Sequence, residues 1–135
     1  MNEYHYLNKW EYSCASLWVE RPDLRISDTE PLDYEKKEVR DYYISYIKEL
    51  CQNYDIDGIE LDFWRGFEYF KPPMTDKKTK ILTDFIIEIR KEINKIAIGK
   101  KKKIKLSART SAYPEIAKEK GWDSAAWLKN GAIDV

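Results

Sequence analysis

The sequence predicts an α/β chain that builds part of a (β/α)8 TIM barrel, about three consecutive βα units preceded by a loop-rich segment over residues 1–32. Two observations predict it: the hydrophobic period switches repeatedly between helix and strand spacing, and each strand is apolar on one side and polar on the other. Helix, strand, helix, strand, helix, strand is the alternation that gives a parallel sheet through right-handed crossovers. In an open doubly wound sheet the central strands are covered on both faces and read apolar throughout. A barrel strand packs its outer face on the helix ring and turns its inner face to a lumen, with charges near the C-terminal rim. A whole barrel takes about 250 residues, so a single domain of 135 residues is expected to supply about half of one.

The elements follow in order. Residues 1–32 hold Trp10 and Trp18 without periodicity, and Arg21-Pro22-Asp23 and Ser27-Asp28-Thr29-Glu30-Pro31 carry turn chemistry, so this segment reads as loop. Val39, Tyr43, Ile47 and Leu50 recur at helical spacing behind acidic Glu35 and Glu38, which predicts a helix over 34–53. Asp57-Gly58-Ile59-Glu60-Leu61-Asp62-Phe63-Trp64 alternates strictly, with Ile59, Leu61 and Phe63 on one face and Glu60, Asp62 and Trp64 on the other. Pro72-Pro73 marks a loop, and Ile81, Leu82, Phe85, Ile86, Ile89, Ile93 and Ile96 predict a longer helix closed by Gly99. A second strand over 104–109 turns Lys105, Ser107 and Arg109 to its polar side. Short helical pieces follow between Pro114 and Gly121 and over 124–129, and 132–135 read as a third strand that lacks a partner.

Composition excludes several functions. Lys and Arg number 24 and Asp and Glu number 24, so no overall field draws the chain onto nucleic acid or an anionic membrane, and neither is expected as a partner. The block Lys100-Lys101-Lys102-Lys103 has no interleaved aromatics and reads as a solvated turn. Cys14, Cys51 and the single His5 cannot build a zinc cage or a disulfide framework, and neither cysteine has a histidine nearby, so no metal and no cofactor are expected. No apolar run approaches the roughly 20 residues of a membrane span, and polar Met1-Asn2-Glu3-Tyr4 lacks the layout of a signal peptide, so a soluble chain is expected. With 43% hydrophobic and 36% charged residues the chain has the material for a core.

The acidic strand is where chemistry concentrates. Glu60 and Asp62 project to one side about 7 Å apart, with Asp62 nearer the C-terminal end where barrel sites are built. Two carboxylates held close push each other's pKa apart, leaving one as proton donor and the other ionised. An alternative remains open: Lys105 and Arg109 on the neighbouring strand neutralise both acids in a buried ionic layer that fixes register.

The runs Ser16-Leu17-Trp18-Val19-Glu20-Arg21-Pro22-Asp23-Leu24-Arg25 and Tyr54-Asp55-Ile56-Asp57-Gly58-Ile59-Glu60-Leu61-Asp62-Phe63-Trp64-Arg65, with Leu106-Ser107-Ala108-Arg109-Thr110, Gly121-Trp122-Asp123 and Gly131-Ala132-Ile133-Asp134-Val135, resemble the family-10-like glycoside hydrolases of unassigned specificity. The resemblance covers nearly the whole chain from Ser16 onward. It implies a TIM barrel, a carbohydrate substrate, and Asp62 as the leading acid; Glu60, a catalytic candidate from the strand pattern alone, is by position the more structural of the two. The Asp-Gly-x-acid-x-acid pattern is also similar to chitinase-type barrels, but the glutamate of that motif is Trp64 here.

Cleavage of a glycosidic bond uses two carboxyl groups flanking it, about 5 to 5.5 Å apart for retention or about 6.5 to 9.5 Å for inversion. Two acids on one strand suit that poorly, so a partner is expected from another strand, with Asp134 a candidate or the second acid lying outside this sequence. The chain alone is therefore expected to be inactive. Arg65 and Arg109 are expected to fork onto a carboxylate of the protein or of an acidic sugar, and Trp64 and Trp18 to offer flat surfaces under a sugar ring. The rival expectation is a non-catalytic carbohydrate-binding half-barrel that self-associates through open sheet edges.

Overall fold

The computed structural model describes residues 16–27, 31–64 and 68–135. Among them the elements run α1 (Ser16–Glu20), a 3-10 turn (Pro22–Leu24), α2 (Lys37–Asn53), β1 (Gly58–Asp62), α3 (Asp76–Gly99), β2 (Lys105–Arg109), α4 (Pro114–Glu119) and α5 (Ser124–Lys129). No helix among the described residues is long and apolar enough to cross a membrane.

The described part of the N-terminal segment is more ordered than turn chemistry alone suggests. Besides α1 and the 3-10 turn it holds an antiparallel bridge between Arg25 and Leu32, and Leu24, Leu32 and Val39 are buried together with Leu17 and Trp18 packed against them. Helix α2 begins at Lys37 because Asp33 turns the chain first. The Asp33 carboxylate accepts the Glu35 N–H at 2.9 Å, and its carbonyl accepts the Lys36 N–H at 3.0 Å.

Helix α2 buries Val39, Ile44, Ile47 and Cys51. Helix α3 opens on Thr75, whose hydroxyl accepts the Lys78 N–H at 3.3 Å as an N-cap. It buries Leu82, Phe85, Ile86, Ile89, Ile93 and Ala97, the stripe that helical spacing places on one face. The two helices pack together and share one core with Trp127 of α5, Leu106 of β2, and half-buried Ile59 and Leu61 of β1. Strands β1 and β2 are parallel, with Gly58 opposite Lys105, Glu60 opposite Ser107 and Asp62 opposite Arg109. A Cβ on Gly58 would stand 3.1 Å from the Lys105 carbonyl oxygen, so glycine lets β2 approach.

The three consecutive βα units of a partial TIM barrel are not what this chain builds. The described sheet has two strands, and the third strand expected over 132–135 does not form. Asp134 supplies the physical reason. Residues 134 and 135 do run beside β2, where the Asp134 N–H donates to the Leu106 carbonyl at 2.7 Å and the Ala108 N–H to the Val135 carbonyl at 3.2 Å. The Leu106 N–H, however, which a ladder would give to a main-chain carbonyl, donates to the Asp134 carboxylate at 2.8 Å. A side chain stands in for backbone, and the ladder stops there. The one-sided polarity of the strands has an equally plain origin: helices cover one face of the sheet, and Glu60, Lys105 and Arg109 on the other are exposed rather than enclosed in a lumen.

Candidate functional site

Alternation along β1 sends Ile59, Leu61 and the following Phe63 toward the core and Glu60, Asp62 and Trp64 to the other side. Alternation along β2 buries Leu106 and turns out Lys105, Ser107 and Arg109. Because the strands are parallel and in register, their C-terminal ends coincide and set Asp62 opposite Arg109.

Among the described residues the Asp62 carboxylate is held from two sides. Arg109 Nη1 lies 3.6 Å from Oδ2, and the Trp64 backbone N–H donates to Oδ1 at 3.1 Å. The Asp62 side chain is 28% exposed and that of Arg109 53%, so the pair is open to solvent; a pair this wet contributes about 0–1 kcal/mol to stability. Glu60 is exposed, and the Ser107 hydroxyl reaches it at 3.5 Å, the outer limit of a hydrogen bond. Lys105 stands opposite Gly58 and has no acid directly across. The buried ionic layer of Glu60, Asp62, Lys105 and Arg109 is therefore not formed, since three of the four are exposed.

Trp64 is 40% exposed and meets the edge of Trp122 with ring centroids 6.3 Å apart. An indole held this way offers a rigid apolar surface at the rim of the strand. Trp122 is 3% exposed, and its Nε1–H has no hydrogen-bond partner among the described residues. Sequence reasoning places Trp122 among the packing residues, and no spacing marks it as a buried donor beside Trp64.

Other expected site residues lie elsewhere. Arg65 falls outside the described residues, as do His5, Trp10 and Cys14. Trp18 packs with the Leu24, Leu32 and Val39 cluster, and the Arg25 guanidinium sits 3.7 Å from its ring centroid, so that ring face is taken by a cation–π contact. Asp134 is on the far side of β2, where the Leu106 N–H and then Arg90 hold its carboxyl below the usual carboxylate range. Cys51 is fully buried, and burial pushes its thiol up, away from the thiolate a nucleophile needs. Among the described residues no three His, Cys, Asp or Glu side chains converge as a metal-holding group.

A hollow of about 110 Å³ opens by Tyr69, Met74 and Lys120, and a wider cleft of about 600 Å³ by Arg90, Lys101, Lys103 and Asp134. Neither is lined by Glu60 or Asp62; Glu60 is exposed and Asp62 half-buried at the end of β1. No protein-family model matches the chain, and no curated protein matches it.

Proposed function

We propose that this chain carries part of the carbohydrate site of a glycoside hydrolase, with Asp62 as an acid–base carboxylate and Trp64 as the surface beneath a sugar ring, and that by itself it binds carbohydrate without cleaving it. The observation that supports this reading is the Asp62 carboxylate, oriented by Arg109 and by its own turn, two residues before an exposed indole. In such chemistry a carboxylic acid gives its proton to the glycosidic oxygen as the bond breaks, while a second carboxylate activates water or attacks the sugar. Arg109 would offset the negative charge left on Asp62 after the proton departs.

Glu60 does not serve as the second group. Two residues on one strand are about 6.6 Å apart, a spacing that inversion tolerates, yet both side chains approach a sugar from the same side. Hydrolysis needs them flanking the bond, which is why binding without turnover fits two acids on one strand.

Glycan arrays followed by calorimetry on the whole chain test the reading. Trp64→Ala is expected to weaken binding about tenfold, the loss of one aromatic contact, and Asp62→Asn to weaken it less. A wild-type chain that binds no oligosaccharide or polysaccharide would falsify the proposal. Hydrolysis by the chain alone would overturn the assignment of the second acid to sequence outside it.

A further inference from the structure

In a parallel pair the N–H and C=O of one residue point to the same side, and successive residues alternate. The line of β1 turns Asp57 and Phe63 toward β2: the Lys105 N–H donates to the Asp57 carbonyl at 2.9 Å and the Phe63 N–H to the Arg109 carbonyl at 3.1 Å. The backbone groups of Gly58 and Glu60 therefore face away from β2. Neither residue makes a backbone hydrogen bond on that side among the described residues, and both are exposed. The other edge of the sheet differs, since residues 134 and 135 run along β2 there. An edge strand with unpaired backbone groups is a template for an added strand.

The neighbour that β1 already has indicates what it selects. Toward the core, Leu106 and Ala108 of β2 lie beside Ile59 and Leu61; on the open face, Lys105, Ser107 and Arg109 lie beside Gly58, Glu60 and Asp62. The surroundings of β1 are acidic. Asp55 and Asp57, with side chains 91% and 97% exposed, precede it and share one cation, Lys102. Arg109 pairs with Asp62, and Glu60, reached only by the Ser107 hydroxyl, has no ion-pair partner among the described residues. A second copy fits this edge poorly, because pairing β1 with β1 brings acidic rows together and like charges across a ladder destabilise it. The β2 of a second copy is already flanked on both sides.

We propose that the outer edge of β1 receives an extended polypeptide segment in which apolar residues alternate with Lys or Arg, the apolar ones extending the core face and the cations lying beside Glu60. The probe is a synthetic peptide with the sequence of residues 103–110, Lys-Ile-Lys-Leu-Ser-Ala-Arg-Thr, added to the full chain and followed by amide hydrogen exchange. Exchange of the Gly58 and Glu60 amides is expected to slow about tenfold, with Ile59 and Leu61, which face β2, unchanged. A peptide with Glu at the Lys and Arg positions should give no slowing, nor should one N-methylated at alternate amides. Glu60→Lys, a change at an exposed site, should invert the preference between the basic and acidic peptides. Equal slowing by both peptides, or none at millimolar peptide, overturns the proposal. So does slowing that rises with the concentration of the chain alone, because it assigns the edge to a second copy.

Discussion

Arg90 ties together parts of the chain that are far apart in sequence. From α3 its guanidinium donates to the carbonyls of Ala132 at 3.0 Å, Ile104 at 3.2 Å and Leu106 at 3.4 Å, and it pairs with Asp134 while only 11% exposed. Lys78, near the start of the same helix, donates its ammonium to the carbonyls of Lys71 and Pro73. Neither belongs to the apolar stripe from Ile81 to Ile96 that marks this helix in the sequence. Periodicity does not distinguish a solvated cation from one that satisfies buried loop carbonyls with its head while its stem packs. Replacing Arg90 by Met keeps the stem and removes the donors to the Ala132 and Ile104 carbonyls and to the Asp134 carboxylate, while the Leu106 carbonyl keeps the Asp134 N–H. A loss of about 2–4 kcal/mol is expected for Arg90→Met, with Arg90→Lys recovering less than half of it because an ammonium does not fork. Urea titration of the two variants decides the matter. An Arg90→Met chain within about 0.5 kcal/mol of wild type would mean that water satisfies the carbonyls equally well.

Helices α3, α4 and α5 end in the same hydrogen-bonded turn, and one of them ends it with an unfavourable residue. The left-handed position after each helix is Lys101, Gly121 and Gly131, with φ of 53°, 71° and 62°. After α3 the Lys101 N–H donates to the Ile98 carbonyl at 3.1 Å and the Lys102 N–H to the Ala97 carbonyl at 3.0 Å, which is the Schellman pattern. Gly99, the expected terminator, is instead the last helical residue. The turn is set by the register that buries Ala97 and by Lys102, which reaches Asp55 and Asp57. Lys101→Gly is expected to stabilise the chain by about 1 kcal/mol by relieving the left-handed side chain. Gly131→Ala, where a Cβ meets nothing within 4 Å, should cost about 1–2 kcal/mol through φ alone. Thermal melts test both, and a Lys101→Gly chain that melts lower would show that a cation at the end of α3 outweighs the strain. What the sequence makes legible here is period. It locates α2, α3, β1 and β2 and puts Glu60, Asp62 and Trp64 on one face, because alternation is a property of the backbone itself. Register, the Asp62–Arg109 pairing that follows from it, and the buried Trp122 donor depend on tertiary placement and leave no periodic trace.

For the whole molecule, one-sided strands are compatible with a barrel wall and with a small sheet covered on one face, and only the number of partners separates them. Among the described residues the sheet has two strands, and beside β2 one carboxylate, Asp134, holds the 134–135 segment to β2 through the Leu106 N–H and to α3 through Arg90. These contacts keep its carboxyl below the usual carboxylate range in the fold. The folded chain therefore binds its proton less readily than the unfolded chain does. The stability this contributes is complete above the unfolded carboxylate value of about 4 and is lost as pH falls through the lower folded value. Other acids with lowered values, Glu92 beside Lys95, Asp55 beside Lys102 and Asp23 beside Arg21, weaken the fold in the same acidic range. The informative quantity is thus a difference between variants and not the acid limb itself. Asp134→Asn retains an oxygen for the Leu106 N–H and removes only the charge, so it should be about 1 kcal/mol less stable than wild type near neutral pH. Denaturant titrations at a series of pH values should show that gap closing below about pH 4. Stability curves that stay parallel down to the acid limit would mean the charge of Asp134 does not hold the segment in place, and that its carbonyl-like oxygen alone ends the sheet at β2.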